Sequence, residues 1–440
     1  MKAGDTLELE LDALSPGGEA SGTLEGRSIA VPGAFAGEQV RARLTHVLRQ
    51  QPRAHAELRA VLRPHPGRRP SPCTHHDDGL PSRVPRCTGC PLLELEVADQ
   101  RALKRDLLAR QHDLHVDAVI AAPAEFGYRA ASKRVVGGSI GKLVLGSYVR
   151  GSHTLAPMHA CRVDHPEIVL AAEELRRIAD WLKIEPYDES SRSGDLRYAW
   201  FKTDGSSVLL TLVTASADSR AASELPAHLR RPVGVAWSVH AGADNNLRGA
   251  APTLLRGTNL HASLAGVTRE LGPLGFLQPN PAVAALAYAD LVRDPEGHEL
   301  RGALALDLYA GAGVTRELLR PHFDAVLACE AYPESAAALA LAPETAEHFL
   351  ARQQRRPDLV IANPPREGLG PQVCAELLRL AAPRLQLMSC GPAALARDLS
   401  NLTRGLTGGL ASGYRLTALR AYDTLPHTPH LELVAWLEAA

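Results

Sequence analysis

The chain has 440 residues, 45% of them hydrophobic, with 48 Lys or Arg against 49 Asp or Glu for a net charge of -1. That length and apolar content suffice for two to four buried cores and exclude intrinsic disorder; the near-neutral balance excludes a global field that would drive the chain onto nucleic acid or membrane, so any basic surface must be local. No run reaches the ~18 apolar residues of a membrane helix, and the first twelve residues alternate in charge, so a soluble cytoplasmic chain with no membrane partner is expected. Seven cysteines, an odd number, point away from a disulfide framework and toward metal or catalytic use.

The first 65 residues carry period-two runs between glycine turns, Thr6 to Leu11, Ser28 to Val31 and Glu38 to Leu44 among them, which predicts a small OB-like β-barrel over 1–66. Between Glu38 and Pro70 eight Arg face two Glu. A basic barrel is a common RNA platform; a merely solvated Arg-rich edge is the alternative. Four prolines between Pro64 and Pro72 read as a linker. Leu92 to His115 has helical spacing. Lys142 to Val149 and Ser207 to Val213 read as strands and Pro166 to Lys183 as a helix, which gives an α+β central domain over 67–92 and 126–260.

From about Leu260 strands and helices alternate: Leu304 to Tyr309, Ala325 to Glu330, Asp358 to Asn363, Leu385 to Cys390 and Leu431 to Trp436 are the buried strands of a doubly wound, largely parallel sheet. With 93–125, the stretch 261–440 forms the third, Rossmann-like domain. Ligands then sit at the carboxyl ends of its strands. Gly311-Ala312-Gly313 follows the first strand, and Glu330 ends the next, placed to accept ribose hydroxyls. No third glycine and no basic phosphate partner follow, which favours a nucleoside donor such as S-adenosylmethionine over a dinucleotide. Asn363-Pro364-Pro365 presents a rigid polar group at another strand end. Cys390 lies between a strand and the helix beginning near Pro392, where a thiolate is favoured; a buried, inert cysteine is the bland alternative. Glu432, inside an apolar strand, is either solvated or a positioned base.

Asp307-Leu308-Tyr309-x-Gly311-x-Gly313, Glu330, Asn363-Pro364-Pro365-Arg366-x-Gly368, Ser389-Cys390-x-Pro392 and His430-x-Glu432, preceded by Phe276-x-Gln278-x-Asn280, occur in the order found in the RNA uracil-5 methyltransferases, and the chain resembles that family over nearly its whole length. The resemblance implies a class I methyltransferase domain and a TRAM-type barrel over 1–66. It also implies that Gln278, Tyr309, Gly311, Gly313, Glu330 and Asn363 contact S-adenosylmethionine, with Cys390 as nucleophile toward uracil C6 and Glu432 as the base that removes the C5 proton. Members with both barrel and cysteines usually act on 23S ribosomal RNA, so that partner is expected ahead of tRNA, with a monomeric enzyme. A homologue that binds RNA without catalysis, or that takes another pyrimidine, is the alternative. Cys73, Cys87, Cys90 and Cys161 supply the four thiolates of a 4Fe–4S cluster, with zinc, ligated also by His75 or His76, as the rival. This sequence departs from the family in four places. Asn363 replaces an Asp. Val314 stands where the tRNA-modifying members often have a polar residue. Thirteen residues separate Cys73 from Cys87 where about five are usual, and 334–357 is short for the usual strand with its adenine-contacting acid.

Overall fold

The computed structural model describes residues 1–242, 247–404 and 413–440. The first 63 residues form one six-stranded sheet in the order Thr6–Glu10, Gln39–Val47, Arg53–Arg63, Arg27–Val31, Ala20–Leu24, Ala13–Leu14. Its alternation is that of the sequence: in Gln39–Val47 the side chains of Val40, Ala42 and Leu44 are buried while Arg41 and Arg43 are exposed. Five of the eight arginines of the basic stretch are neutralised locally, Arg41 by Glu8, Arg59 by Glu57, Arg63 by Glu10, Arg68 by Glu38 and Arg69 by Glu125. The local surplus therefore rests on Arg43, Arg49 and Arg53.

The expected linker is not loose. Arg68 donates to both oxygens of the buried Glu38 (2.7 and 2.9 Å), to Glu94 (2.7 Å) and to the Gly33 carbonyl (2.8 Å). Proline and glycine limit regular structure in such a segment, but a paired, half-buried guanidinium still ties it down.

The central seven-stranded sheet runs Leu155–Pro157, Lys142–Tyr148, Ala131–Ser139, Leu196–Thr203, Val208–Thr214, Pro232–Val239, Thr253–Gly257. Only Val208–Thr214 and Pro232–Val239 pair in parallel. The helix Pro166–Trp181 starts at a proline with His165 as cap and turns Ile168, Ala171, Leu175 and Ile178, at helical spacing, onto this sheet. The stretch after Leu260 departs from the expected alternation. Leu260–Leu264 and Val267–Leu271 form a separate hairpin, and strand–helix alternation begins only with the helix Pro281–Leu291.

The last sheet orders as Phe323–Cys329, Gly302–Leu308, Leu359–Ala362, Arg384–Ser389, Glu432–Ala439, Tyr414–Tyr422, Val119–Ile120. The first four are mutually parallel and Glu432–Ala439 is antiparallel to both its neighbours. Val119–Ile120 joins at the far edge, which brings the segment after the helix Val97–His112 into this sheet. Between Glu334 and Pro357 lie parts of two short helices, Pro333–Ala338 and Ala346–Ala351, and no strand, so Phe323–Cys329 is the outermost strand on that side. Helices on both faces bury near-continuous apolar strands such as Leu359–Ala362. Among the described residues no helix is long and apolar enough to cross a membrane.

Candidate active site

Five segments meet at the carboxyl edge of the parallel strands. The tight turn after Gly302–Leu308 carries Tyr309 in the left-handed region at φ 59°, a strained conformation for an aromatic residue. Gly313 takes φ 72°, and a Cβ there would lie 2.5 Å from the Leu339 side chain, so its glycine serves both conformation and space. Beneath the turn, Asp307 accepts from the Thr315 hydroxyl (2.6 Å), and full burial pushes its carboxyl up to about 7. Glu330 turns back to this loop. One oxygen accepts from Gly311 N–H (2.8 Å), the other from Tyr332 N–H (2.7 Å), which leaves a lone pair on each for a hydroxyl.

Asn363 follows Leu359–Ala362 and its backbone N–H reaches Leu308 O at 3.4 Å, which sets it beside Tyr309. Its Nδ2 donates to the Tyr288 hydroxyl (3.1 Å), and Gln278 hydrogen-bonds the same hydroxyl. Tyr288 thus joins two of the expected cofactor contacts from a third element. The double-proline loop is held from behind. Gly368, at φ 84°, lets Asp398 close in to accept from Leu369 N–H (2.7 Å), and a Cβ at Gly368 would sit 2.2 Å from that carboxylate.

Ser389 pairs across the ladder with Leu433, so the next position on one strand, Cys390, lies opposite Glu432 on the other. Of the three C-terminal cysteines, Cys329 and Cys374 are buried and only Cys390 is exposed. Its thiol is pushed up by partial burial and then by the charge of Glu432, while Arg366 pulls it down through a hydrogen bond. The helix Pro392–Arg404 starts two residues later, as the sequence suggests, but desolvation works against ionisation of the thiol. Glu432 is buried among apolar neighbours, and that alone raises its carboxyl to about 8. A solvated Glu432 is excluded.

Three cations from outside this sheet brace the pocket. Lys202 donates to the carbonyls of Gly272 (3.0 Å), Pro273 (2.8 Å) and Gly275, the loop leading to Gln278. Arg269 bonds Ala312 O (3.1 Å) in the glycine turn, and Arg248 bonds the Tyr332 hydroxyl. None was singled out from the sequence. A lysine inside the apolar strand Leu196–Thr203 was the only available sign.

The four N-terminal cysteines, though up to 88 positions apart, line one cavity of about 140 Å3 together with His75, His76, Arg129 and Arg134. Burial raises Cys87, Cys90 and Cys161, each further raised by a neighbouring acid or thiolate. Among the described residues the only metal-ligating atoms mutually within 4.8 Å in a set of three or more are those of Asp294, Glu296 and His298. No three of the four thiols therefore lie mutually within 4.8 Å. Four thiols lining one cavity are the donor set that a four-iron cluster takes, and with His75 or His76 beside them the set would also suit zinc. The Cys73–Cys87 loop spends its extra length on the first sheet, where Gly79 packs against Pro32 and Gly33, and Arg86 pairs Asp78 (2.6 Å).

The chain is similar to an uncharacterized RNA methyltransferase of Geobacter sulfurreducens at 31% identity, over 99% of this chain and 90% of the relative. It is similar to another of Thermosynechococcus vestitus at 30% identity, over 99% of this chain and 98% of that one. Among solved structures it superposes on the Pyrococcus abyssi tRNA (uracil-54, C5)-methyltransferase in complex with S-adenosyl-L-homocysteine with a TM-score of 0.77, covering 98% of this chain and 100% of that one at 22% identity, which is a likeness of fold. No family model matches.

Proposed function

The chain belongs to the RNA methyltransferases, and from that premise we propose that it methylates C5 of a uridine in RNA with S-adenosylmethionine as donor. The observation that carries this reading is the pairing of an exposed Cys390 with a buried, proton-holding Glu432 across one ladder, beside the Tyr309, Glu330 and Asn363 pocket. Uracil C5 is too weak a nucleophile by itself. Addition of the Cys390 thiolate at C6 places electron density on C5, which takes the methyl group; Glu432 removes the C5 proton and the thiolate leaves. The donor supplies an electrophilic methyl group. Gln278, Tyr309, Gly311, Gly313, Glu330 and Asn363 bind and orient it, and Arg366 assists ionisation of Cys390. The target base must leave its stack to reach these groups.

Within this proposal 1–66 is the TRAM-like RNA-binding barrel, 67–92 with 126–260 the central domain, and 93–125 with 261–440 the donor-binding domain. The substrate is 23S ribosomal RNA and the enzyme a monomer. tRNA is the second reading, favoured by the substrate of the solved neighbour. Mass mapping of cellular RNA with and without this gene tests the assignment. Loss of one 5-methyluridine from large-subunit RNA is expected; loss from tRNA selects the second reading, and no lost methyl overturns both.

Cys73, Cys87, Cys90 and Cys161 would hold a 4Fe–4S cluster with a structural role. Protein purified without oxygen is expected to carry about four irons per chain, and Cys161→Ser to lose them; stoichiometric zinc would contradict the assignment. Tyr288→Phe removes the hydroxyl shared by Asn363 and Gln278. S-adenosylhomocysteine affinity, read by calorimetry, should fall about three- to tenfold, the worth of one neutral hydrogen bond.

A further inference from the structure

A cleft of about 580 Å3 opens in the central domain, away from the strand ends that carry Cys390 and Glu432. It lies at the far end of Ala131–Ser139 and is walled by Tyr148, His153, Tyr187, Glu189, Arg192 and Arg197. We propose that this cleft holds an unstacked guanine of the RNA substrate, as an anchor separate from the methylated base. The proposal rests only on the chain acting on RNA, not on which base is methylated.

The carboxylate of Glu189 is fixed in place. One oxygen accepts from the Tyr148 hydroxyl and the other contacts His153 Nδ1 at 2.7 Å. It remains 30% exposed, and each oxygen keeps a lone pair for a ligand. Burial works to raise its pKa, but the bonds from Tyr148 and His153 outweigh it, so it stays charged. Opposite stands Arg197, only 3% exposed, with its guanidinium 4.3 Å over the Tyr187 ring. Its Nη1 is spent on His240 and the Gly242 carbonyl, while its Nε has no hydrogen-bond partner among the described residues.

A rigid carboxylate between aromatic rings, with cations beside it, is complementary to one RNA base. Guanine offers two adjacent donors, N1–H and the 2-amino group, next to the O6 acceptor; uracil offers one donor between two acceptors, and adenine and cytosine one amino group each. Sequence-selective RNA binding works in this way, with splayed bases on aromatic side chains and hydrogen bonds to their edges. The place is also suitable. Ser147, beside Tyr148, lines the four-cysteine cavity, and Arg150, two residues past Tyr148, reaches the Gly17 carbonyl beside the first sheet.

The test uses the full chain and short single-stranded uridine oligomers carrying one guanosine or one inosine, which lacks the 2-amino group. Wild type is expected to bind the guanosine oligomer roughly tenfold more tightly, the worth of one charge-assisted hydrogen bond. Glu189→Gln should erase that preference, and Tyr187→Ala should weaken both oligomers. Each variant should methylate saturating cellular RNA at the wild-type kcat with a raised KM. No guanosine preference in wild type, or a preference that survives Glu189→Gln, overturns the proposal. So does binding of free GMP that Glu189→Gln abolishes while oligomer affinity is unchanged, which would make the cleft a mononucleotide site.

Discussion

Cys390→Ala is expected to abolish methyl transfer while RNA binding persists. Without the sulfur no bond forms at C6 and C5 stays unactivated, so the loss should be on the order of 10^4- to 10^6-fold in kcat, as for other covalent nucleophiles. The substitution is structurally mild, because Cys390 is exposed and lies just beyond the last ladder pair. Methylation of RNA with a labelled donor checks the activity, and filter binding checks the affinity, which should fall with salt in both proteins because phosphate contacts dominate it. Turnover near wild type would remove Cys390 as the nucleophile. Cys329 and Cys374 offer no substitute, since both are buried in the core of the sheet.

Glu432→Gln should stop the reaction one step later. Methyl transfer then proceeds, but the C5 proton has no acceptor and the protein remains bonded to methylated RNA. A band of protein plus RNA that survives denaturation, carrying label from the donor, is the expected result; free methylated product at the wild-type rate would contradict the assignment. A positioned base contributes about 10^2- to 10^4-fold, so turnover should fall by that much.

The same residue sets a pH dependence. Folded Glu432 titrates near 8 against an ordinary 4.5, so the folded chain holds a proton that the unfolded chain has lost, and stability declines as pH rises through that interval. The glutamine variant cannot charge. Its Tm should exceed that of wild type at pH 8 to 9 and match it near pH 4.5. Wild-type turnover should rise with pH toward and beyond 8, because both Glu432 and Cys390 must be deprotonated and both are pushed upward.

Local pattern determined a good deal of this protein. Period-two runs gave the first sheet, apolar runs between helices gave the parallel strands, and the strand-end residues Glu330, Asn363 and Cys390 were legible because a turn that presents a ligand contact must follow a strand directly. The short stretch between Glu334 and Pro357 announced its missing strand by length alone. Tertiary structure decided what depends on distance between remote segments. It set Glu432 opposite Cys390 through an antiparallel register, and so decided between a solvated and a buried carboxylate, because burial is a property of the packed sheet and not of the alternating run Leu431-Glu432-Leu433. It gathered four cysteines spread over 88 positions around one cavity. It also brought Tyr288, Lys202 and Arg269 to the loops around Gln278, Asn363 and the glycine turn, a placement that local pattern does not give, since a hydrogen bond from another element leaves no periodicity in the sequence.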